Sequence, residues 1–235
     1  MRFGRPILYG TLLVRYKRFL ADVLLDSGQR LTVHCPNPGS MATCADPGSR
    51  VIITDHGDAT SRKLRHTWEA IRIGRTWVGV NTMNPNRVVE EAIARRRVPE
   101  LDGYGVVRRE VRYGRGMGSR IDLLLEERGR PDCYVEVKNA TLRVGDGALF
   151  PDSVTERGRR HLEELACVAR QGLRAVMFFF VGRSDCRFVG PAEHIDPDYA
   201  RTLRRVAACG VEVLGYRGHV SAAGLRLGPR LPVVL

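Results

Sequence analysis

The sequence predicts a small all-β barrel followed by an α/β domain with a mixed central sheet. In the first part of the chain, short strand-like segments are separated by proline, glycine and other turn residues, and no helical pattern interrupts them. Further along, helical patterns begin to alternate with apolar strand patterns. We therefore divide the chain into a barrel domain at residues 1–82 and an α/β domain at residues 83–235.

The predicted strands of the first domain are short and end at turn residues, of which Asp26-Ser27-Gly28 has the composition of a hairpin turn. These strands are expected at residues 8–15, 19–25, 31–34, 50–55 and 64–80. About five short strands in a segment of this length are typical of a small barrel. The OB-fold is the common example that binds nucleic acid.

The second domain begins with a predicted helix that follows Asn84-Pro85-Asn86 and ends before Pro99. A later helix has Gly172 as its C-terminal cap, and another has Asp196 as its N-cap. The helices are expected at residues 87–97, 154–171 and 197–210, and the strands at residues 106–113, 119–126, 133–139, 175–181 and 211–216. Helices and strands that alternate in this way form layered α/β structures.

The charge balance indicates a polyanionic partner. Lys and Arg number 38 against 26 Asp and Glu, which gives a net charge of +12. A membrane surface would require an amphipathic basic helix or a lipidation motif, and the sequence has neither. It also has no apolar run of membrane-spanning length and no secretory signal, so we expect a cytoplasmic protein that binds nucleic acid. The oligomeric state is left open, and a homodimer is compatible with the sequence.

The strongest chemical pattern lies in two predicted strands of the second domain. Glu136 and Lys138 alternate with valines, so they share one face of a strand about 7 Å apart along the backbone. Lysine occurs only three times in the chain, which makes this pairing notable. Asp122 lies on the preceding strand, and the turn-rich connection predicts an antiparallel hairpin that brings Asp122 beside Glu136.

Such a pair of carboxylates suits Mg²⁺ or Mn²⁺, and the carbonyl of Val137 is a candidate third ligand. A metal there would polarise a phosphate oxygen and lower the pKa of a bound water, while Lys138 holds the attacking water or helps to deprotonate it. The residues thus predict a phosphodiester hydrolase with Asp122, Glu136 and Lys138 as catalytic residues. Glu90, on the preceding predicted helix, is a candidate for a further acid.

Two other segments are candidates for nucleic-acid contact. Arg15, Lys17, Arg18 and Phe19 interleave cations with an aromatic ring, which suits backbone contact and base stacking, although Phe19 equally fits a core position. Arg157 and His161 lie four residues apart at the start of a predicted helix, where positive charge and the helix dipole suit a phosphate. An ordinary surface helix of a basic protein explains that second pair equally well.

Several motifs across nearly the whole chain resemble those of one known family. The motifs are Arg18-Phe19, His34-Cys35-Pro36-Asn37-Pro38-Gly39-Ser40-Met41, Ser119-Arg120-Ile121-Asp122, Glu136-Val137-Lys138-Asn139, Phe150-Pro151-Asp152-Ser153 and Arg157-Gly158-x-x-His161. Together they resemble the sugar fermentation stimulation protein A family. The resemblance implies an N-terminal OB-like barrel, a C-terminal PD-(D/E)XK nuclease-like domain, and DNA binding with little sequence preference. DNA is therefore expected more than RNA, and the residues themselves leave that choice open.

The resemblance also implies roles for particular residues. Asp122 matches the first acid of the nuclease motif, Glu136 and Lys138 match its E-x-K, and Glu90 matches the helix acid that many such nucleases use. Residues 113–118 form a longer connection than the family leads us to expect.

Three functions fit these observations. A metal-dependent nuclease is favoured because the three motif residues are all present. A non-catalytic DNA-binding regulator of sugar utilisation genes on the same fold is the alternative. A carbohydrate-cleaving enzyme with paired carboxylates is less favoured, since aromatic residues make up 7% of the chain and a lysine lies beside the pair.

Overall fold

The computed structural model describes residues 1–58, 62–114 and 118–235. Residues 115–117 of the connection at residues 113–118, which the sequence marks as long, therefore lie outside the described residues. No helix in the described ranges is long and apolar enough to cross a membrane.

The first domain is the predicted barrel. Its strands are β1 (Ile7–Tyr16), β2 (Leu20–Leu25), β3 (Arg30–His34), β4 (Arg50–Asp55), β5 (His66–Ile73) and β6 (Thr76–Gly79). They are ordered β3-β2-β1-β4-β5-β6, and a pairing between β3 and β5 at His34 and Thr67 closes β1 to β5 into a barrel. Alternate residues point inward to a core around the fully buried Trp68. This confirms the predicted OB-like fold.

The second domain combines a main sheet, a small sheet and three helices among the described residues. Its elements are α1 (Asn84–Ala94), β7 (Val106–Tyr113), β8 (Ser119–Glu126), β9 (Cys133–Ala140), β10 (Leu142–Val144), β11 (Gly147–Phe150), α2 (Glu156–Arg170), β12 (Arg174–Val181), β13 (Phe188–Pro191), α3 (Pro197–Ala208), β14 (Glu212–Ser221) and β15 (Gly224–Leu231). The main sheet has the order β15-β14-β12-β9-β8-β7. It is mixed, as predicted, because β12 runs parallel to both β9 and β14 while the other neighbours are antiparallel.

The central strand β12 shows why the sequence of this domain folds as a layered structure. Its uninterrupted apolar run is buried on both faces, as a strand between two helical layers must be. Val176, Phe178 and Phe180 pack towards α1, whereas Met177 and Phe179 pack towards α2 and α3. Apolar side chains on both faces therefore fix the sheet between the helices and position the strands that carry the site.

The predicted ends of α2 and α3 are correct to within two residues, whereas α1 begins and ends three residues earlier than predicted. The side chain of Thr155 accepts a hydrogen bond from the Gly158 N–H, and that of Asp196 accepts one from the Tyr199 N–H. The strands that the sequence did not predict are β10, β11, β13 and β15. The first three have only three or four residues each. The fourth contains glycine, proline and arginine, which resemble a turn in sequence.

The two domains are joined by direct polar contacts. The backbone N–H of Met41 donates to Oδ2 of Asp152 at 3.0 Å. A Cβ at Gly39 would lie only 2.3 Å from Oδ1 of Asp152, so the close approach requires glycine. The buried carboxylate of Glu69, in the barrel, accepts a hydrogen bond from the side chain of Asn84 at the start of α1, at 2.8 Å. The 34–41 loop, whose role the sequence did not reveal, therefore docks the barrel on the second domain.

Candidate active site

The candidate site lies where strands β8 and β9 separate. Their antiparallel ladder pairs Leu123 to Leu125 with Val135 to Cys133, and the predicted hairpin is therefore present. Just beyond the ladder, Oδ2 of Asp122 accepts a hydrogen bond from the Val137 N–H at 2.7 Å. Its other oxygen, Oδ1, accepts one from the side chain of Asn86 on α1, also at 2.7 Å. The carboxylate of Asp122 is thus fixed at the point of divergence.

Glu136 is the most buried acid of the site, with 2% of its surface exposed. Its Oε1 accepts a hydrogen bond from Nζ of Lys138 at 2.5 Å and is also in contact with Nδ1 of His161. Oε2 is buried as well, and among the described residues it has no hydrogen-bond partner. A buried carboxylate oxygen normally has a partner, so this one is free to bind a ligand in the cavity.

The two carboxylates have opposite pKa shifts. Burial and, after it, the negative charge of Glu136 raise the pKa of Asp122 to about 6, against the opposing effects of the Val137 N–H, Lys138 and Asn86. Burial opposes ionisation of Glu136 too, but the charge of Lys138 and the hydrogen bond with His161 outweigh it and lower the pKa of Glu136. At neutral pH both groups are therefore ionised, and a cation between them would reduce the repulsion between their charges.

A cavity of about 480 Å³ opens over these groups. Its polar lining comes from the segment that leads into α1, from strands β7, β8 and β9, and from the first turns of α2. The lining residues are Thr82, Asn86, Glu110, Gly118, Ser119, Arg120, Asp122, Glu136, Val137, Lys138, Arg157, Arg160 and His161. A lining that combines acids with arginines suits a ligand that combines a cation with a phosphate.

The residues present fit a hard divalent cation. Asp122 and Glu136 supply carboxylate oxygens, and Oε2 of Glu136 is buried and unpartnered in the part of the chain that the structure describes. No group of three or more His, Cys, Asp or Glu side chains among those residues is arranged to hold a metal ion. Two carboxylates with backbone and water oxygens are the ligand set of Mg²⁺, which keeps several of its waters.

Glu90 does not lie where the sequence analysis placed it. Its carboxylate pairs with Nε of Arg109 at 3.5 Å, and it is not among the residues that line the cavity. The side chain of α1 that reaches the site is Asn86, one helical turn earlier, through its hydrogen bond to Asp122. The structure therefore does not bring Glu90 to the cavity, because one further helical turn places it beside Arg109 on β7.

His161 lines the cavity and also contacts one of the two acids. It is buried, with 4% of its surface exposed, and its Nδ1 contacts Glu136. Its Nε2 accepts a hydrogen bond from Nε of Arg157 at 3.4 Å. The shared helix face of Arg157 and His161 was predicted from their spacing, but spacing does not show that the face meets Glu136. Arg157 lines the cavity, where it is available to a phosphate.

The cationic segment of the barrel divides into one structural and three exposed residues. Arg15 donates to the backbone carbonyl of Gly39 at 2.8 Å and to that of Asn37 at 3.0 Å. Its guanidinium therefore supports the 34–41 loop, called the docking loop below, and is not free for phosphate. Lys17 and Arg18 are exposed in the β1–β2 turn, both with positive φ (45° and 64°). Phe19 is 44% exposed and is therefore not a core residue.

Substitution of Arg15 is expected to destabilise the fold. Arg15→Gln leaves part-buried carbonyls of the docking loop without their donors, which costs about 1–3 kcal/mol of unfolding free energy. Urea unfolding measures this loss. Lys17→Gln is the matched control, because it removes the same charge at an exposed position and should change stability by less than about 0.5 kcal/mol. Equal stabilities for the two variants would contradict the structural role of Arg15.

The fold defines the class of protein as an OB barrel joined to an α/β domain with a mixed central sheet. Residues 13–80 match the family model described as "SfsA N-terminal OB domain". Residues 83–224 match the model described as "Sugar fermentation stimulation protein RE domain". The chain belongs to the sugar fermentation stimulation protein family, as the resemblance of its motifs implied.

Curated relatives cover the chain from end to end. A sugar fermentation stimulation protein homolog of Geotalea uraniireducens is 52% identical over 233 residues, covering 99% of each chain. One from Pelobacter propionicus is 54% identical over 231 residues, covering 98% of each chain. A solved structure described as Pyrococcus furiosus SfsA in complex with Ca²⁺ matches with a TM-score of 0.90 at 27% identity, covering 100% of this chain and 98% of the other.

Proposed function

We propose that this protein binds nucleic acid and hydrolyses its phosphodiester bonds with a Mg²⁺ or Mn²⁺ ion held by Asp122 and Glu136. The observation that carries the proposal is the buried, unpartnered Oε2 of Glu136 at the base of the cavity, in the part of the chain that the structure describes. Asp122 supports it, because burial and a second negative charge close by raise its pKa. Two such acids beside a lysine match the metal-dependent chemistry of phosphodiester cleavage.

Each residue of the site has a distinct task in this proposal. Asp122 and Glu136 bind the cation, with the Val137 carbonyl as a candidate third oxygen. When bound, the cation polarises a phosphate oxygen and lowers the pKa of a water molecule. Lys138, held on Oε1 of Glu136, places a positive charge beside the cavity, where it orients the attacking water. Arg157 offers its guanidinium to a phosphate from the cavity wall.

The comparison with a solved structure supports the choice of cation. The Pyrococcus furiosus protein is described in complex with Ca²⁺, an ion that binds oxygen ligands as Mg²⁺ and Mn²⁺ do. We extend this preference for oxygen-seeking cations to the present chain, in which two carboxylates lie at the base of the cavity.

The β1–β2 turn supports the nucleic-acid part of the proposal. Lys17 and Arg18 present charge, and Phe19 presents an exposed ring on the same turn. Such a combination binds a nucleic-acid backbone and stacks a base with little sequence preference. With the net charge of +12, it favours a polyanionic strand, and the family resemblance favours DNA over RNA.

Phe19 and Lys17 of the β1–β2 turn are expected to contribute to nucleic-acid binding through stacking and through charge, respectively. Phe19→Ala should weaken binding of single-stranded DNA by about 1–3 kcal/mol and leave the salt dependence nearly unchanged, because it removes stacking and no charge. Lys17→Gln should lower the slope of log affinity against log salt by about 1. Fluorescence anisotropy at several salt concentrations measures both quantities. Wild-type binding by both variants would remove this turn from the interface.

A non-catalytic DNA-binding regulator is the second candidate. One observation favours it: the described residues hold no ready-made cluster of three metal-ligating side chains. Such a protein would use the same basic surfaces for binding and would leave phosphodiester bonds intact.

The two candidates are separated by incubating the wild-type protein with labelled single- and double-stranded DNA and RNA. Each substrate is tested with Mg²⁺, Mn²⁺ or EDTA. The proposal expects cleavage of at least one substrate with Mg²⁺ or Mn²⁺ and none with EDTA. Salt-sensitive binding without cleavage under any of these conditions would reject the nuclease and favour the regulator.

A further inference from the structure

Two arginines face each other across strands β7 and β8 beside the candidate site. Arg112 and Arg120 are direct partners in the antiparallel register. Side chains of such partners lie on the same face with Cβ atoms about 4.5–5.5 Å apart, so their like charges repel. Both residues are exposed. Neither has a hydrogen bond or ion pair with any residue in the described ranges, so the repulsion is uncompensated there.

The other arginines of strand β7 are compensated. Arg108 pairs with Glu126 at 3.3 Å, and Arg109 pairs with Glu90 at 3.5 Å. Arg108 and Arg109 lie opposite Leu124 and Leu123 in the register, and neither lines the cavity. Of the uncompensated pair, Arg120 lines the cavity and Arg112 lies directly opposite it.

Arg112 and Arg120 lie close to the carboxylates at which the reacting phosphate is proposed to bind. Arg120 lines the cavity and lies two residues before Asp122 on β8, which corresponds to about 7 Å along the strand. Arg157 and Arg160 line the same cavity from α2. A phosphate at the carboxylates would therefore have cationic groups on the β7–β8 side as well as on the α2 side.

We infer that Arg112 and Arg120 form a clamp for a phosphate that neighbours the one at Asp122 and Glu136. The clamp rests on the proposed function and specifies its substrate class as a continuous nucleic-acid strand, in preference to a free nucleotide or a phosphomonoester. Two guanidinium groups bind phosphate oxygens through paired hydrogen bonds, and the bound anion relieves their mutual repulsion.

The test compares two double variants that each remove two positive charges. Arg112→Gln/Arg120→Gln removes the clamp, whereas Arg108→Gln/Arg109→Gln removes the compensated arginines of the same strand. Binding of a labelled single-stranded oligonucleotide is measured by anisotropy in EDTA over a range of salt concentrations. The clamp variant is expected to lower the slope of log affinity against log salt by about 1 to 2, and the control to lower it by less than half as much. Equal slopes for the two variants would overturn the clamp.

Thermal melting of the same proteins checks that the clamp acts on the ligand. Removing one or both like-charged partners should leave the melting temperature unchanged or raise it. A loss of affinity that is matched by a fall in melting temperature would assign the arginines to the fold and overturn the proposal. Because the binding assay contains no metal, a protein that binds through the clamp but never cleaves would reject the nuclease alone.

Discussion

Asp122→Asn is expected to abolish metal-dependent cleavage and, at the same time, to gain stability relative to the metal-free wild type as the pH rises from about 4 to neutral. Cleavage is lost because the cation loses one of its two carboxylates. The relative gain arises because the ionised carboxylate of Asp122 is unfavourable in the folded protein, where burial and the charge of Glu136 raise its pKa to about 6. The Asn side chain has one acceptor for the two N–H donors that meet Asp122, which adds a cost that does not change with pH.

The sign of the pH dependence follows from that shift. The pKa of Asp122 is higher in the folded protein than its ordinary value of 3.8, so the folded state binds the proton more tightly. Its contribution to stability is complete below about pH 4 and is lost as the pH rises towards about 6. The loss at neutral pH is on the order of 1–3 kcal/mol, and Asn avoids it.

Thermal melting in EDTA across this pH range measures the effect. The melting temperature of the Asn variant minus that of wild type should rise between about pH 4 and neutral pH. Asp46→Asn is the control, since it removes one negative charge at an exposed position. A folded Asp122→Asn protein that cleaves at the wild-type rate would reject the assigned site.

Glu136→Gln is expected to move binding and cleavage in opposite directions. Without metal, each carboxylate repels the incoming phosphate by about 1 kcal/mol at 4 Å in a water-like dielectric, and by more where water is excluded. Removing one charge also leaves Lys138 without its ionic partner and free to attract phosphate. Metal-free binding should therefore hold or tighten by several-fold, since about 1.4 kcal/mol is a factor of ten, while metal-dependent cleavage is lost.

Binding in EDTA and cleavage in Mn²⁺ are measured on the substrate that the wild type prefers. Glu90→Gln is the matched control, because Glu90 is ion-paired to Arg109 outside the cavity lining. It should retain wild-type cleavage. If Glu90→Gln lost cleavage and Glu136→Gln kept it, the assignment of the two acids would be reversed.

Local patterns were sufficient to predict the core of the site. Two-residue alternation placed Glu136 and Lys138 on one face, and a turn-rich connection predicted the hairpin that brings Asp122 to them. Both features depend on short-range backbone geometry. The burial of β12 on both faces was predictable for the same reason, since its apolar run is uninterrupted.

The remaining features depend on contacts between distant parts of the chain. His161 contacts Glu136, which is 25 residues away in sequence, and helical spacing does not show which neighbour a face meets. Asn86 reaches Asp122 across 36 residues, and a neutral amide gave no signal of that role. The 34–41 loop docks on Asp152, and Arg15 supports that loop, because of tertiary packing that sequence patterns do not encode.

The central claim is that Asp122 and Glu136 together hold a divalent cation. Calorimetric titration of Mn²⁺ into the wild type, Glu136→Gln and Glu90→Gln at neutral pH, without nucleic acid, tests it most directly. The account predicts saturable binding by the wild type and by Glu90→Gln, and an affinity lower by at least about tenfold for Glu136→Gln, which corresponds to about 1.4 kcal/mol. Equal Mn²⁺ affinity in all three proteins, or no binding by the wild type, would contradict it.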